Sequence, residues 1–418
     1  MGFRVLAAGL VASIGLQTGA HGEEIAPYGA LREAGLTQYW RAEMPFERGD
    51  SAVSTHLLEE NLYVATRMGD LYAVDPGVGL VRWVHRVAER GKRVFKPSHL
   101  FTVDGRAAVL VAHSEGAYVY DRDSGAVLAA IPGMWPAGSG AVGDTHSLYV
   151  GSSDGFIYAV RWYNPKHGKP LHTWRVLGGG PVTSTPALID NVLYFASQGG
   201  TVFACTADWN KNLQWKHSTE AAIVADLYVD DSGVYVAGLD RSLYRLDVTS
   251  GALLWRYRFP QPLRETPVVS QRTVYQYCRG AGLYAIDVDT GEMLWTNLAA
   301  TAFVSRRADR TCVRMGDEHV ALLDSASGRV RHLIPIPVKS VVAANPDGLT
   351  FYVVTPDGDV VCFTSDDVRH LRADDILKGL TPPGGTGPSG TDEGESDAAE
   401  NVGGATDLDD PLRSGTDR

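Results

Sequence analysis

The sequence predicts an all-β protein: a single eight-bladed β-propeller of four-stranded antiparallel blades, closed by an outer strand drawn from the N-terminus. Three observations predict it. One phrase recurs eight times along the 418 residues, at a spacing near forty. The composition, with 46 Gly, 21 Pro, 18 Tyr and 9 Trp, suits short strands and tight turns, because Gly and Pro weaken helix interiors. And the segment around Trp40 matches the outer-strand part of the phrase without the rest of a blade before it.

The fullest copies run from Leu243 to Trp255 (LYRLDVTSGALLW) and from Leu283 to Trp295 (LYAIDVDTGEMLW). With the second residue of each copy as marker, the positions are 72, 118, 158, 203, 244, 284, 321 and 361, at intervals of 46, 40, 45, 41, 40, 37 and 40. Each copy divides into four strands. In the sixth they are residues 267–270, 273–277, 282–287 and 292–296, separated by Gly, Asp, Ser or Gln-Arg.

A hairpin Asp-x-x-x-Gly recurs at Asp75, Asp121, Asp247, Asp287 and Asp324, with Gly79, Gly125, Gly251, Gly291 and Gly328 at its exit. The Asp carboxylate can accept from amides two and three residues on, and the Gly supplies a positive φ. Four residues later stands Trp83, Trp255 or Trp295, with Trp174 and Trp215 in looser copies. A large flat ring at one point of successive sheets fills the wedge between neighbouring blades.

The phrase resembles the PQQ-like β-propeller repeat family, which holds quinoprotein dehydrogenases as well as proteins of the non-enzymatic BamB-like type. The resemblance covers about residues 38–380. It implies the propeller fold; it names no reacting group, since the phrase concerns turns and blade packing.

The eighth copy, 341–363, has three strands and then runs into Asp366-Asp367-Val368-Arg369-His370-Leu371, without Gly or Trp. Residues 37–45 resemble residues 254–260, an outer strand and its link, so the N-terminus closes the ring; residues 368–371, which repeat 330–333, are the competing candidate. The expected domains are a signal peptide (1–20), an N-terminal linker (21–35), the propeller (36–380) and a disordered acidic tail (381–418).

The signal peptide rests on Arg4, the apolar run 5–16 and the small residues Thr18-Gly19-Ala20. Such a run is too short to span a bilayer. No Cys follows the cleavage point, so the mature chain is expected in the periplasm or associated with the cell envelope, not lipid-anchored, and without a transmembrane segment. The tail carries nine acidic residues and two Arg from Leu380 on, which is most of the net charge of −11. Such a composition buries too little apolar surface to fold, and the acidic balance argues against nucleic acid as a partner. The four cysteines, Cys205, Cys278, Cys312 and Cys362, form no CxxC or adjacent pair, which leaves buried thiols or one long-range disulfide.

No motif for metal binding, a nucleophile elbow or a phosphate loop occurs. Gly178-Gly179-Gly180 and Gly199-Gly200 sit at blade turns. His56 and His99 fall in innermost strands and could face the central channel or be satisfied in its wall. The expected function is therefore a non-enzymatic, exported scaffold, a monomer without cofactor, presenting loop faces to a protein or cell-envelope partner. Candidate contacts are Trp162 and Tyr163 in the third-blade connection and Trp209 in the fourth-blade turn, unless each Trp folds back on its own blade. Arg306, Arg307 and Arg310 form a basic cluster in sequence. The alternative is a PQQ-dependent quinoprotein oxidoreductase with the quinone in the central channel. Family members of that kind typically hold PQQ against a disulfide of adjacent cysteines and Ca²⁺ on carboxylate and amide side chains; adjacent cysteines are missing here, as they are in some soluble quinoproteins.

Overall fold

The computed structural model describes residues 24–133, 135–163, 171–208, 210–369 and 371. The segments expected as a signal peptide (1–20) and as an acidic tail (381–418) lie outside the described residues. Eight four-stranded sheets make up the fold, seven of them with their strands in sequence order from inner to outer and the eighth with the chain's first strand in its outer position. They are blades 1 (52–86), 2 (98–132), 3 (137–177), 4 (187–218), 5 (228–258), 6 (268–297) and 7 (300–335), with blade 8 (341–365) completed from the N-terminus.

In blade 8 the strand Leu36–Glu43 pairs antiparallel with Asp359–Ser365 in the outer position. The chain thus closes its ring with its own N-terminal strand. Of the competing segment, the described residues 368, 369 and 371 lie in no strand; Val368 N–H donates to the Ser365 carbonyl in a turn, and Leu371 packs beside the blade 8 and blade 1 core. Trp40 repeats the geometry of the other blades. The register slips by one residue at Tyr39, just before Trp40, as it does at Arg82 before Trp83 and at Leu254 before Trp255. This bulge re-aims the side chain that follows it.

Five of the outer-strand Trp land on the Asp-x-x-x-Gly hairpin of the next blade. The indole N–H of Trp40, Trp83, Trp215, Trp255 and Trp295 donates to the carbonyls of Pro76, Arg122, Val248, Val288 and Ser325, at 2.7–3.1 Å. Inside the hairpin, Asp247 Oδ1 accepts from Thr249 and Ser250 N–H at 3.1 and 2.7 Å, and Asp75, Asp121, Asp287 and Asp324 act alike. The hairpin Gly serves twice. Gly291 has φ +71°, and a Cβ there would lie 2.7 Å from the Trp255 ring, so a side chain is excluded by space as well as by backbone.

A second pin was not read from the sequence. A Tyr in the second strand packs on the Trp of its own blade: Tyr63 on Trp83, Tyr149 on Trp174, Tyr194 on Trp215, Tyr235 on Trp255 and Tyr275 on Trp295, with centroids 5.6–6.2 Å apart. Blade 8 pairs Tyr352 with Trp40 at 5.8 Å, and both donate to the Pro76 carbonyl of blade 1. The Trp of blade 8 is therefore Trp40.

Residues 24–35, expected as a linker, are ordered against the barrel wall. They carry the helix Tyr28–Glu33, and Ile25, Ala26, Leu31 and Ala34 are buried with Leu36, Val304, Ile334 and Ile336. The spacing of Leu31, Ala34 and Leu36 turns one apolar edge onto blades 7 and 8, which makes the segment part of the fold. All four cysteines are buried free thiols. Burial, first of all, pushes the Cys205 thiol up to about 11 and the Cys362 thiol to about 12, which keeps them protonated and unreactive. Among the described residues no helix is long and apolar enough to cross a membrane.

Candidate functional site: the central channel

The inner strands of blades 1 to 6 enclose a cavity of about 1090 Å³. One end is built by the links between blades and the turns between second and third strands. Val87 and Ala88 N–H bond the Gly69 carbonyl, and Ser114 N–H bonds the Arg93 carbonyl, so the link 87–96 is laced to both neighbouring turns. That link reads Glu-Arg-Gly-Lys-Arg-Val-Phe-Lys from Glu89 to Lys96, and its residues from Gly91 on line the cavity together with Arg67.

The cations there are unequally committed. Lys92 is tied to Glu115 at 2.8 Å, and the Arg93 guanidinium lies over the Phe95 ring at 4.8 Å. Among the described residues neither Arg67, Arg93 nor Lys96 is paired with a carboxylate. Asp226 is the one carboxylate on the cavity wall, and no amide side chain is there. The Thr185 N–H donates to Asp226 Oδ1 at 2.6 Å; enclosure by the wall nevertheless raises its pKa, with Lys96 and Arg93 opposing.

His56 lines the cavity, and burial followed by the nearby Lys96 charge brings its pKa down to about 4, so the ring is neutral at pH 7. His99 also faces the cavity, with its ring nitrogens committed. Nε2 meets the Tyr63 hydroxyl at 3.0 Å, and Nδ1 lies 3.2 Å from Glu59 Oε2 and 2.9 Å from Arg122 Nη1. Arg122 in turn holds Glu59 at 2.5 Å. Burial lowers the His99 pKa, with the Glu59 contact opposing. The network ties a blade 1 turn to the inner strand and hairpin of blade 2. It is a wall contact.

The sequence candidates fall elsewhere. Trp162 is not an exposed anchor: it is only 6% exposed, its indole N–H donates to the Asp144 carbonyl at 3.1 Å, and it packs with Ala129, Leu148 and Tyr158 in the core between blades 2 and 3. The reason is volume. Blade 2 places Ala129 opposite Val119, where other blades place Trp, and Trp162 folds back into the space left over. Tyr163 remains 38% exposed beside His146, on the hairpin side of the ring. Trp209, with residues 164–170, lies outside the described residues. Arg306, Arg307 and Arg310 do not act together: Arg306 binds Thr273 and the Tyr275 hydroxyl, Arg307 reaches Asp367, and Arg310 reaches the Ala34 carbonyl.

The basic link was missed because the repeat markers cover strands and hairpins and leave the connections unread. Its signal was present as four cations within seven residues of an acidic chain. Among the described residues no three His, Cys, Asp or Glu side chains come together to hold a metal ion. One carboxylate, no amide and no adjacent cysteines do not fit the calcium set and disulfide that the quinoprotein resemblance implies.

The family model described as outer membrane protein assembly factor BamB matches residues 158–265 and 259–371, together about half of the chain. No curated protein matches the sequence significantly. Among solved structures, BamB from Moraxella catarrhalis has a TM-score of 0.62 at 15% identity, covering 80% of this chain and 99% of that one. The computationally designed Ika8 protein reaches 0.59 at 14% identity, covering 77% and 98%. Saccharomyces cerevisiae Sqt1 reaches 0.58 at 12%, covering 77% and 97%. At such identities the likeness to these structures is one of fold.

Proposed function

Because the chain belongs to the PQQ-like β-propeller repeat family, we propose that it is a non-enzymatic, exported scaffold that binds a protein partner of the cell envelope through the link-side face of its ring. One observation carries this reading. The cavity lining gathers Arg67, Arg93 and Lys96, cations without a carboxylate partner among the described residues, and no base and nucleophile placed against each other, an arrangement suited to recognition. The strained or shifted groups nearby, His99, Glu59 and Tyr63, are used to join blades. Export is supported by the Arg4 and 5–16 pattern, and the envelope by the family description of an outer membrane assembly factor.

Photo-crosslinking residues placed one at a time at Arg90, at Lys96 and at Val127 on the outer rim test it in intact cells. One discrete protein adduct from the first two positions and none from Val127 is the expected pattern. No adduct from Arg90 or Lys96, or equal adducts from all three, contradicts it. N-terminal sequencing of the mature chain should begin at His21; an intact Met1 terminus rejects export by this signal.

A further inference from the structure

The lumen itself is more selective than a face of loops. In blade 7 the inner edge of the first strand is bonded to residues 345–348. In blades 1 to 6 the inner strand has a partner strand on one side only, and its residues line the cavity, so its other edge is turned toward the channel. Such an edge offers alternating N–H and C=O groups. An extended peptide can pair with them along its length, whereas a compact anion meets one or two. Along blade 1 the wall runs from Val53 to Leu58, about 16 Å at roughly 3.3 Å per residue. That is the reach of about five extended residues.

The charges select among peptides. Arg67, Arg93 and Lys96 stand at one end of this wall without carboxylate partners among the described residues, in a chain whose net charge is −11. The cavity therefore has a local sign opposite to that of the whole molecule. Lys96, His56 of blade 1 and Asp226 just ahead of blade 5 share this lining, and the Lys96 charge acts on both of the others. Asp226 is the single opposing group, and it is already engaged by Thr185 N–H. Val53, Leu58 and Val142 on the same lining offer apolar contacts beside the charges.

We propose that the central channel takes up an extended acidic segment of a protein partner, its carboxylates on Arg67, Arg93 and Lys96 and its backbone along the inner strands. The proposal rests on the scaffold reading and names the chemistry of what that scaffold holds.

Fluorescence anisotropy of the full chain with a fluorescein-labelled hexapeptide of alternating glutamate and valine tests it. Saturable binding is expected, weakened at least about tenfold by Lys96→Glu with Arg67→Glu and partly by the milder Lys96→Gln, since opposite charges are replaced at the contact. Lys216→Glu, a single charge reversal on the outer edge of blade 4, should leave binding as it was, and a lysine–valine hexapeptide should not bind. Thermal melts confirm that the variants are folded. No binding of the glutamate–valine peptide, or equal binding by the Lys96 and Lys216 variants, overturns the proposal. So does displacement of the peptide by an equal concentration of citrate, which would make the channel a small-anion site. If the peptide fails while crosslinks from Arg90 and Lys96 persist, the channel proposal falls alone; loss of both removes the scaffold reading as well.

Discussion

The junction of blades 5 and 6 and the junction of blades 2 and 3 meet the same demand with different residues. Both must fill the wedge that opens between two twisted sheets fanned around an axis. In blade 5 the bulge at Leu254 turns Trp255 onto Gly291, with its N–H on the Val288 carbonyl and Tyr235 behind it. In blade 2 the register is the same, with the bulge at Leu128, but the residue delivered is Ala129. The missing volume comes from the next blade, where Trp162 folds inward and bonds its own turn at Asp144. A Trp outside the repeat register is thus explained by the register position that lacks one.

Breaking the ring at its closure exceeds any single substitution at either junction. Removal of residues 21–46 takes away the strand paired with Asp359–Ser365, the buried Trp40 and the buried Leu31. It leaves an unpaired edge that invites other chains. The truncated protein should show the largest fall in melting temperature and scatter light on heating; an unchanged melt means that blade 8 is sealed otherwise.

The two junctions themselves are compared by Trp255→Ala and Trp162→Ala. Each should cost about 3–5 kcal/mol in denaturant melts, since each empties a buried aromatic site. A loss below about 1 kcal/mol at Trp162 alone, well short of the cavity cost, would return it to the role of a surface residue.

Smaller still is the effect of filling the seat. Gly291→Ala meets both the φ of +71° and the Trp255 ring, whereas Gly105→Ala meets a φ of +80° with nothing within 4 Å. The second should cost about 1 kcal/mol, the backbone term alone, and the first clearly more. Equal costs would mean that the ring yields and that the hairpin Gly is there for its backbone only.

The smallest effects are in pH. His56 is held at about 4 in the fold against an ordinary 6.5, so its contribution is fully present above pH 6.5 and is lost as pH falls toward 4. His56→Gln should flatten the decline in melting temperature across that window. Asp324, drawn down to about 2 by Arg331 and Ser327, contributes above its ordinary 3.8 and loses that contribution only between there and about pH 2. Asp324→Asn should therefore act at the acid end and leave the window from 6.5 to 4 alone.

The ring was legible because a repeated phrase carries its own register: Asp, Gly and Trp at fixed spacing specify hairpin, seat and wedge together. The N-terminal closure was legible for the same reason, from Trp40. What escaped were features without a repeat partner. The helix Tyr28–Glu33 is too short to show a period, and Leu31 and Ala34 gain meaning only against blades 7 and 8. Trp162 looked exposed because it interrupts a turn motif, while the signal for its burial lay in Ala129, more than thirty residues earlier. The cations of the link 89–96 lie in a connection, where sequence gives charge but not the cavity that the charge faces.

The proposed scaffold role requires a propeller that binds a partner and does not oxidise a substrate. Purified full-length protein titrated with PQQ in the presence of Ca²⁺, followed by absorbance with a dye-linked alcohol and sugar oxidation assay alongside, tests it most directly. No turnover is expected at any PQQ concentration, because one wall carboxylate among the described residues and four separate buried thiols do not fit the calcium set and disulfide that the resemblance implies. Saturable PQQ binding accompanied by substrate-dependent dye reduction contradicts it.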